Sequence, residues 1–228
     1  MNLATSSVFS FGRLRADTSD TSSFAVNDAF ETFELQECVD RTERARAERF
    51  IAERYMQAFE ARIEAFMPRL LMLRAVGDCS AKIRGALGLR SAKGRLFVEQ
   101  YFDAPVEQKI LAATGERVER ASIVEVGHFA GLGAGTMRVL ILGLTARLQQ
   151  EGAQWVVFAG TRALCNAFLR MNLRPIALCP ALPERLPAHA RAGWGRYYAH
   201  DPWVYAGRVE HGARALLSTT RVTKEPRA

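Results

Sequence analysis

From Ile123 to Leu178 the chain runs through a strand, a glycine-rich turn, a long helix, a strand, a helix and a last strand, and that order leaves few folds open. Ile123–Phe129 reads as a strand and is followed by Gly131, Gly133 and Gly135. Thr136–Glu151 has the regular spacing of a helix, with Val139, Leu140, Gly143, Leu144 and Leu148 on one face and Gly152 at its end. Trp155–Phe158 is wholly apolar, as expected of a strand covered on both faces. Arg162–Met171 is a second helix and Pro175–Leu178 a further short strand. Strands that alternate with helices in this way imply an α/β domain with a partly parallel sheet.

The chain before this run has a different rhythm. Between Asp40 and Phe66, Ala47, Phe50, Ile51, Ala58, Phe59 and Ile63 recur at three- and four-residue spacing, which predicts one or two amphipathic helices ended by Pro68. Leu70–Val76, Ile83–Leu89 and Leu96–Phe102, separated by the turn signals Gly77-Asp78 and Lys93-Gly94, read as an antiparallel meander of three strands. Val106–Ala113 is a short helix, opened by Pro105 at a first-turn position and closed by Gly115. Trp194, Tyr197, Tyr198, Trp203 and Tyr205 surround one more strand. Residues 1–37, rich in Ser, Thr, Asp and Asn, are expected to be a mobile polar segment with a short ordered piece near Phe30–Leu35. Residues 38–215 then form one domain, and 216–228 a flexible tail.

Composition narrows the function classes. The net charge of +7 leaves an attraction for anionic partners, although many arginines stand beside acids in 40–54, the pattern of a solvated helix face. No lysine-rich tract or aromatic nucleic-acid motif is present, so no nucleic-acid partner is expected. Cys38, Cys79, Cys165 and Cys179 include no pair at zinc or redox spacing, so no metal is expected. No leader precedes the domain and no stretch is long enough to span a bilayer, which makes a cytoplasmic protein without a transmembrane segment the expectation.

Chemistry concentrates around the glycine turn. A strand followed by Gly131-Leu132-Gly133-Ala134-Gly135-Thr136 and then a helix aims free backbone N–H groups at an anion, and glycines let a phosphate approach closely. A simple tight loop has the same spacing. Just upstream stands Glu125-Val126-Gly127-His128-Phe129. In a regular strand Glu125 and Gly127 share one face and Val126 and His128 the other. Beside an anion site, Glu125 can orient an amine or take its proton, and a plain ion pair with Arg120 is equally open. His128 and Glu99 are the other catalytic candidates, each with a structural alternative.

Several spaced segments resemble the thermostable hemolysin family: Leu96–Asp103, Ile123–Ala130, Trp155–Phe158, and Trp194–Tyr198 through Pro202. That family is similar to acyl-homoserine-lactone synthases, whose strand carries Glu-x-Ser-Arg-Phe. Glu125 and Phe129 match; Gly127 and His128 stand at the serine and arginine. The segment Thr161–Pro175 resembles a helix-to-strand stretch of the GCN5-related N-acetyltransferases, with Thr161 in place of asparagine and Phe168 where a tyrosine often acts as acid. The resemblance implies a GCN5-related N-acetyltransferase-like mixed sheet flanked by helices. It implies transfer of an acyl group from acyl-CoA or an acyl-carrier protein to an amine of a small acceptor, with no permanently bound cofactor. Gly131, Gly133, Ala134, Gly135, Thr136, Thr161 and Phe168 would bind the donor, Glu125 and Glu99 would serve the amine, and an acidic carrier protein would be a partner. A non-catalytic ligand-binding member of the same fold and a membrane-active hemolysin are the alternatives.

Overall fold

Residues 7–9, 33–77 and 82–214 are described by a computed structural model of the chain. The expected tail 216–228 lies outside them. Eight strands form one sheet in the order β1-β2-β3-β4-β5-β6-β8-β7. They are β1 (Ser7–Phe9), β2 (Phe33–Glu37), β3 (Arg69–Ala75), β4 (Gly85–Ser91), β5 (Ile123–Gly131), β6 (Trp155–Gly160), β7 (Ile176–Pro180) and β8 (Trp203–Arg208). Among the described residues only β5 and β6 run parallel.

The N-terminal segment is not polar tail throughout. Phe33–Glu37 is an inner strand between β1 and β3, and Leu35 is 1% exposed among the leucines beneath the long central helix. The strand overlaps the short ordered piece expected near Phe30–Leu35 and runs two residues further, to Glu37. Leu96–Phe102 differs in the other direction: Val98–Tyr101 is a 3-10 turn. The amides a strand would give to a ladder go instead to carboxylates, Leu96 N–H to Glu99 at 2.9 Å and Phe97 and Val98 N–H to Glu125 at 3.0 and 2.8 Å. The third strand of the meander is therefore β5, which pairs antiparallel with β4.

Helices cover both faces. On one side lies α1 (Arg41–Phe59), opened by a reciprocal cap in which the Asp40 carboxylate accepts Glu43 N–H at 2.8 Å and Glu43 accepts Val39 N–H at 3.1 Å. Its Ala47, Ile51 and Tyr55 pack on Leu70, Met72, Ala86 and Ala130. Helix α2 (Val106–Thr114) continues that layer, with Pro105 as its N-cap residue rather than inside the first turn, and packs Val106 and Ile110 on Ile123, Trp155 and Val157. On the other side, α3 (Ala134–Gln150) buries Leu140, Ile141, Leu144 and Leu148, with α4 (Arg162–Arg170) beside it. Arg69 bridges Glu37 and Glu151, each at 2.7 Å, and Arg147 reaches Glu37 at 2.9 Å, tying the end of α3 to β2 and β3. The short α5 (Ala188–Arg191) and the turns after it close over α1.

Candidate active site

Two local irregularities in β5 make the site. The first is a divergence. β5 and β6 pair only through Ile123 with Trp155, Val124 with Val156 and Glu125 with Val157. Beyond that point β6 is bonded to β8 and β5 to β4, so one edge of each strand faces a gap. The second is a bulge. Gly127 pairs with Gly88 and Ala130 with Ala86, so His128 and Phe129 together stand opposite Leu87.

The bulge corrects the regular alternation expected from the sequence. His128 takes φ +55° and turns its ring to the α1 side, where it meets Tyr55 at 6.2 Å and Phe66 at 5.5 Å between centroids. It therefore shares a face with Glu125 and Gly127, while Val126 and Phe129 face α3. Glycine at Gly88 and Gly127 has its own reason: a Cβ at either would lie 2.5–2.6 Å from Met67, which rests directly on the two strands.

A cavity of about 550 Å3 opens on this face, with Glu125, His128, Arg90, Tyr55, Tyr101 and Trp194 in its wall. Glu125 is 1% exposed. Its two oxygens accept the Phe97 and Val98 amides, and Arg90, its cross-strand neighbour, stands 3.5 Å away. Burial raises the carboxyl above its ordinary range, against the pull of the two amides and Arg90. His128 goes the other way: burial, helped by Arg90, lowers the imidazole to about 4, so it is neutral at pH 7. Its Nδ1 is buried with no hydrogen-bond partner.

On the α3 side a larger cavity of about 750 Å3 is mostly apolar, walled by Val126, Phe129, Leu144, Phe158 and Phe168. Val126 lines both cavities, so they adjoin at the gap between the strands. Phe168 is buried and stacked on Phe158 at 4.9 Å, with no hydroxyl to offer.

The glycine turn stands at the end of the gap. Gly133 (φ +148°) is the N-cap of α3, and no side chain caps that helix. Its first-turn amides are left for another acceptor. Thr161, buried at the N-cap of α4, follows the parallel strand β6 and so stands at the same edge of the sheet; its side chain caps nothing. The structure thus groups Gly131 to Thr136 with Thr161 at one edge, and Glu125 with His128 in one cavity.

Glu99 is placed elsewhere. It accepts the Leu96 and Val106 amides and a forked bond from Arg120 at 2.6 and 2.8 Å, and lines a separate surface groove. Arg120 holds its carboxyl down at about 2. The partner of Arg120 is thus Glu99 together with Glu107, not Glu125. Sequence reasoning missed Arg90, Met67 and Val126. Only the register of β4 on β5 makes Arg90 visible, and Met67 and Val126 look like ordinary apolar residues.

Comparison with known proteins decides the family. The model of the thermostable hemolysin family matches residues 38–213. The chain belongs to the thermostable hemolysin family. No individually curated protein matches this chain by sequence. Among solved structures it is similar to FeeM, an N-acyl amino acid synthase from uncultured soil microbes (TM-score 0.55, 12% identity, 82% of this chain and 95% of that one). It is also similar to the acyl-homoserine-lactone synthase LasI (0.52, 11%, 78% and 89%) and to MesI, a CoA-dependent acyl-homoserine lactone synthase (0.50, 18%, 82% and 92%). At these identities the likeness establishes the fold: the chain is built on the GCN5-related N-acetyltransferase-like mixed sheet that the resemblance implies. Among the described residues no helix is long and apolar enough to cross a membrane, and no three His, Cys, Asp or Glu side chains are grouped to hold a metal.

Proposed function

We propose that this protein is an N-acyltransferase that moves an acyl group from a phosphopantetheine thioester to the amine of a small acceptor. The observation that carries the reading is the gap beyond Glu125 and Val157. It ends at an uncapped helix N-terminus and has a cavity on each side, one walled by Phe129, Phe158 and Phe168 and the other holding Glu125, His128 and Arg90. An extended pantetheine arm would lie along the free edge of β5 and bond its unpaired amides, as an added strand would. The donor phosphates would rest on Gly131 to Thr136. From Val126 to Pro183 the only acid is Glu151, itself bound by Arg69, so this segment suits an anionic donor. The acyl chain would occupy the cavity of Phe129, Phe158 and Phe168, and the amine would enter on the Glu125 side. Catalysis would come mainly from holding the amine against the thioester carbonyl.

The neighbouring synthases, one named as CoA-dependent and one as making N-acyl amino acids, support a CoA donor and an amine acceptor. Glu125 would anchor the Phe97–Val98 turn that walls the acceptor cavity, and Glu99 would brace the same turn from outside. Dependence on such thioesters would suit a cytoplasmic protein. Lysis of cells would then follow from an amphiphilic acylated product. Phe168, which brings no acid, favours a second reading, a binding member of the fold without turnover.

The test is incubation with octanoyl-CoA, palmitoyl-CoA and an octanoyl-loaded carrier protein against a panel of primary amines. Thiol release is followed, with mass spectrometry of the products. N-acyl product from at least one pair is expected. Saturable donor binding with no thiol release across the panel would favour the binding reading, and absence of donor binding would exclude both.

A further inference from the structure

We propose that His128 is the catalytic base of this site: its imidazole takes the proton of the attacking amine and hands it to the departing thiolate, while Glu125 acts by position only. The inference rests on the acyl-transfer reading. Four observations converge on it. His128 sits at φ +55°, a conformation that costs a non-glycine residue free energy, in the bulge that puts its ring on the same face of the sheet as Glu125. Its ring forms part of the wall of the acceptor cavity, partly buried and clasped by Tyr55 and Phe66. It has no hydrogen-bond partner there: Nδ1 is sealed in next to Gly88, which leaves the Nε2 edge of the ring for a ligand. Glu125, the obvious rival, already accepts a backbone amide on each oxygen.

The proton balance closes without another group. The amine nitrogen forms a bond to the thioester carbonyl carbon and loses one proton to the neutral imidazole. The C–S bond breaks, and the imidazolium protonates the thiolate. This supplies the acid that Phe168 lacks, from a residue on the opposite face of the sheet. Base and acid are then one side chain, which returns to its starting state each cycle.

The experiment compares wild type with His128→Gly and His128→Asn in the thiol-release assay, using the donor and amine that wild type turns over. Glycine and asparagine both accept φ +55°, so the bulge is retained. Folding is checked by thermal melting. The expected result is a fall in kcat of about 100-fold or more with donor KM within about threefold, and partial recovery of His128→Gly by added imidazole. Turnover within about threefold of wild type in either variant overturns the assignment. So does a loss that imidazole leaves unchanged in a variant that melts like wild type. No thiol release by wild type from any pair contradicts the transfer reading itself, and this inference falls with it.

Discussion

Ile123 to Glu125 are bonded to β4 on one side and to β6 on the other, whereas Val126 to Gly131 keep β4 alone and lose even that ladder at Leu87. The two ends of one strand thus do different work. The doubly paired end is scaffold: Ile123 is fully buried, and Glu125 fastens the Phe97–Val98 turn. The singly paired end carries the strained histidine, the junction of the two cavities and the approach to an uncapped helix. Backbone groups that are buried want partners, so a strand left half-bonded in the middle of a sheet is an invitation to an extended ligand. The paired end fixes geometry and the unpaired end uses it.

The largest effect is expected from undoing the fixed end. Glu125→Gln replaces one of two acceptors by an NH2 group and leaves a buried amide facing a donor, at about 1–3 kcal/mol. Turnover should drop at least about 100-fold through loss of the turn's position, with donor binding near normal. Urea unfolding and steady-state kinetics read the two parts.

At the free end, Val126→Trp fills the place where the cavities meet. Overpacking there costs about 1–3 kcal/mol. Transfer of palmitoyl should fall about 30-fold relative to acetyl, seen as a ratio of kcat/KM values; an equal fall for both would place the acyl chain elsewhere.

The two glutamates sharpen the contrast. Glu99→Gln should lower stability by about 1–2 kcal/mol, since Arg120 loses its charged partner, while turnover stays within about threefold. Because the Glu99 carboxyl is held below its unfolded value, its contribution is present above about pH 4.5 and is lost as pH falls toward 2. The variant should flatten that acid limb of the melting temperature.

The smallest effect belongs to the turn. Gly133→Ala at φ +148° strains the N-cap, and donor Kd should rise about fivefold with little change in kcat. Titration of acyl-CoA followed by calorimetry measures it.

Much of the frame is legible in sequence because it rests on long periodic elements. The spacing of Leu140, Leu144 and Leu148 and the apolar run Trp155–Phe158 lead directly to α3 and β6. The same holds for the glycine turn, since strand, glycines and helix are adjacent in the chain. What escapes reading depends on partners distant in sequence. An ordered piece near Phe30–Leu35 can be read, but that it is an inner strand becomes evident only from its pairing with β1 and β3. Leu96–Phe102 has the composition of a strand but gives its amides to Glu99 and to Glu125, 28 residues from Phe97. The bulge adds one residue to one strand, which moves His128 to the other face without any change in residue type. Arg90 and Glu99 exchange importance for the same reason: register brings the first to Glu125, and Arg120 holds the second away.

Hydrogen exchange with and without acyl-CoA tests the central claim most directly. If a phosphopantetheine arm completes the open edge of β5 and its phosphates rest on the turn, saturating donor will slow exchange at Val126–Thr136 and leave β2 and β3 unchanged. Protection confined to other elements, or none in that segment despite saturable binding, would contradict the account.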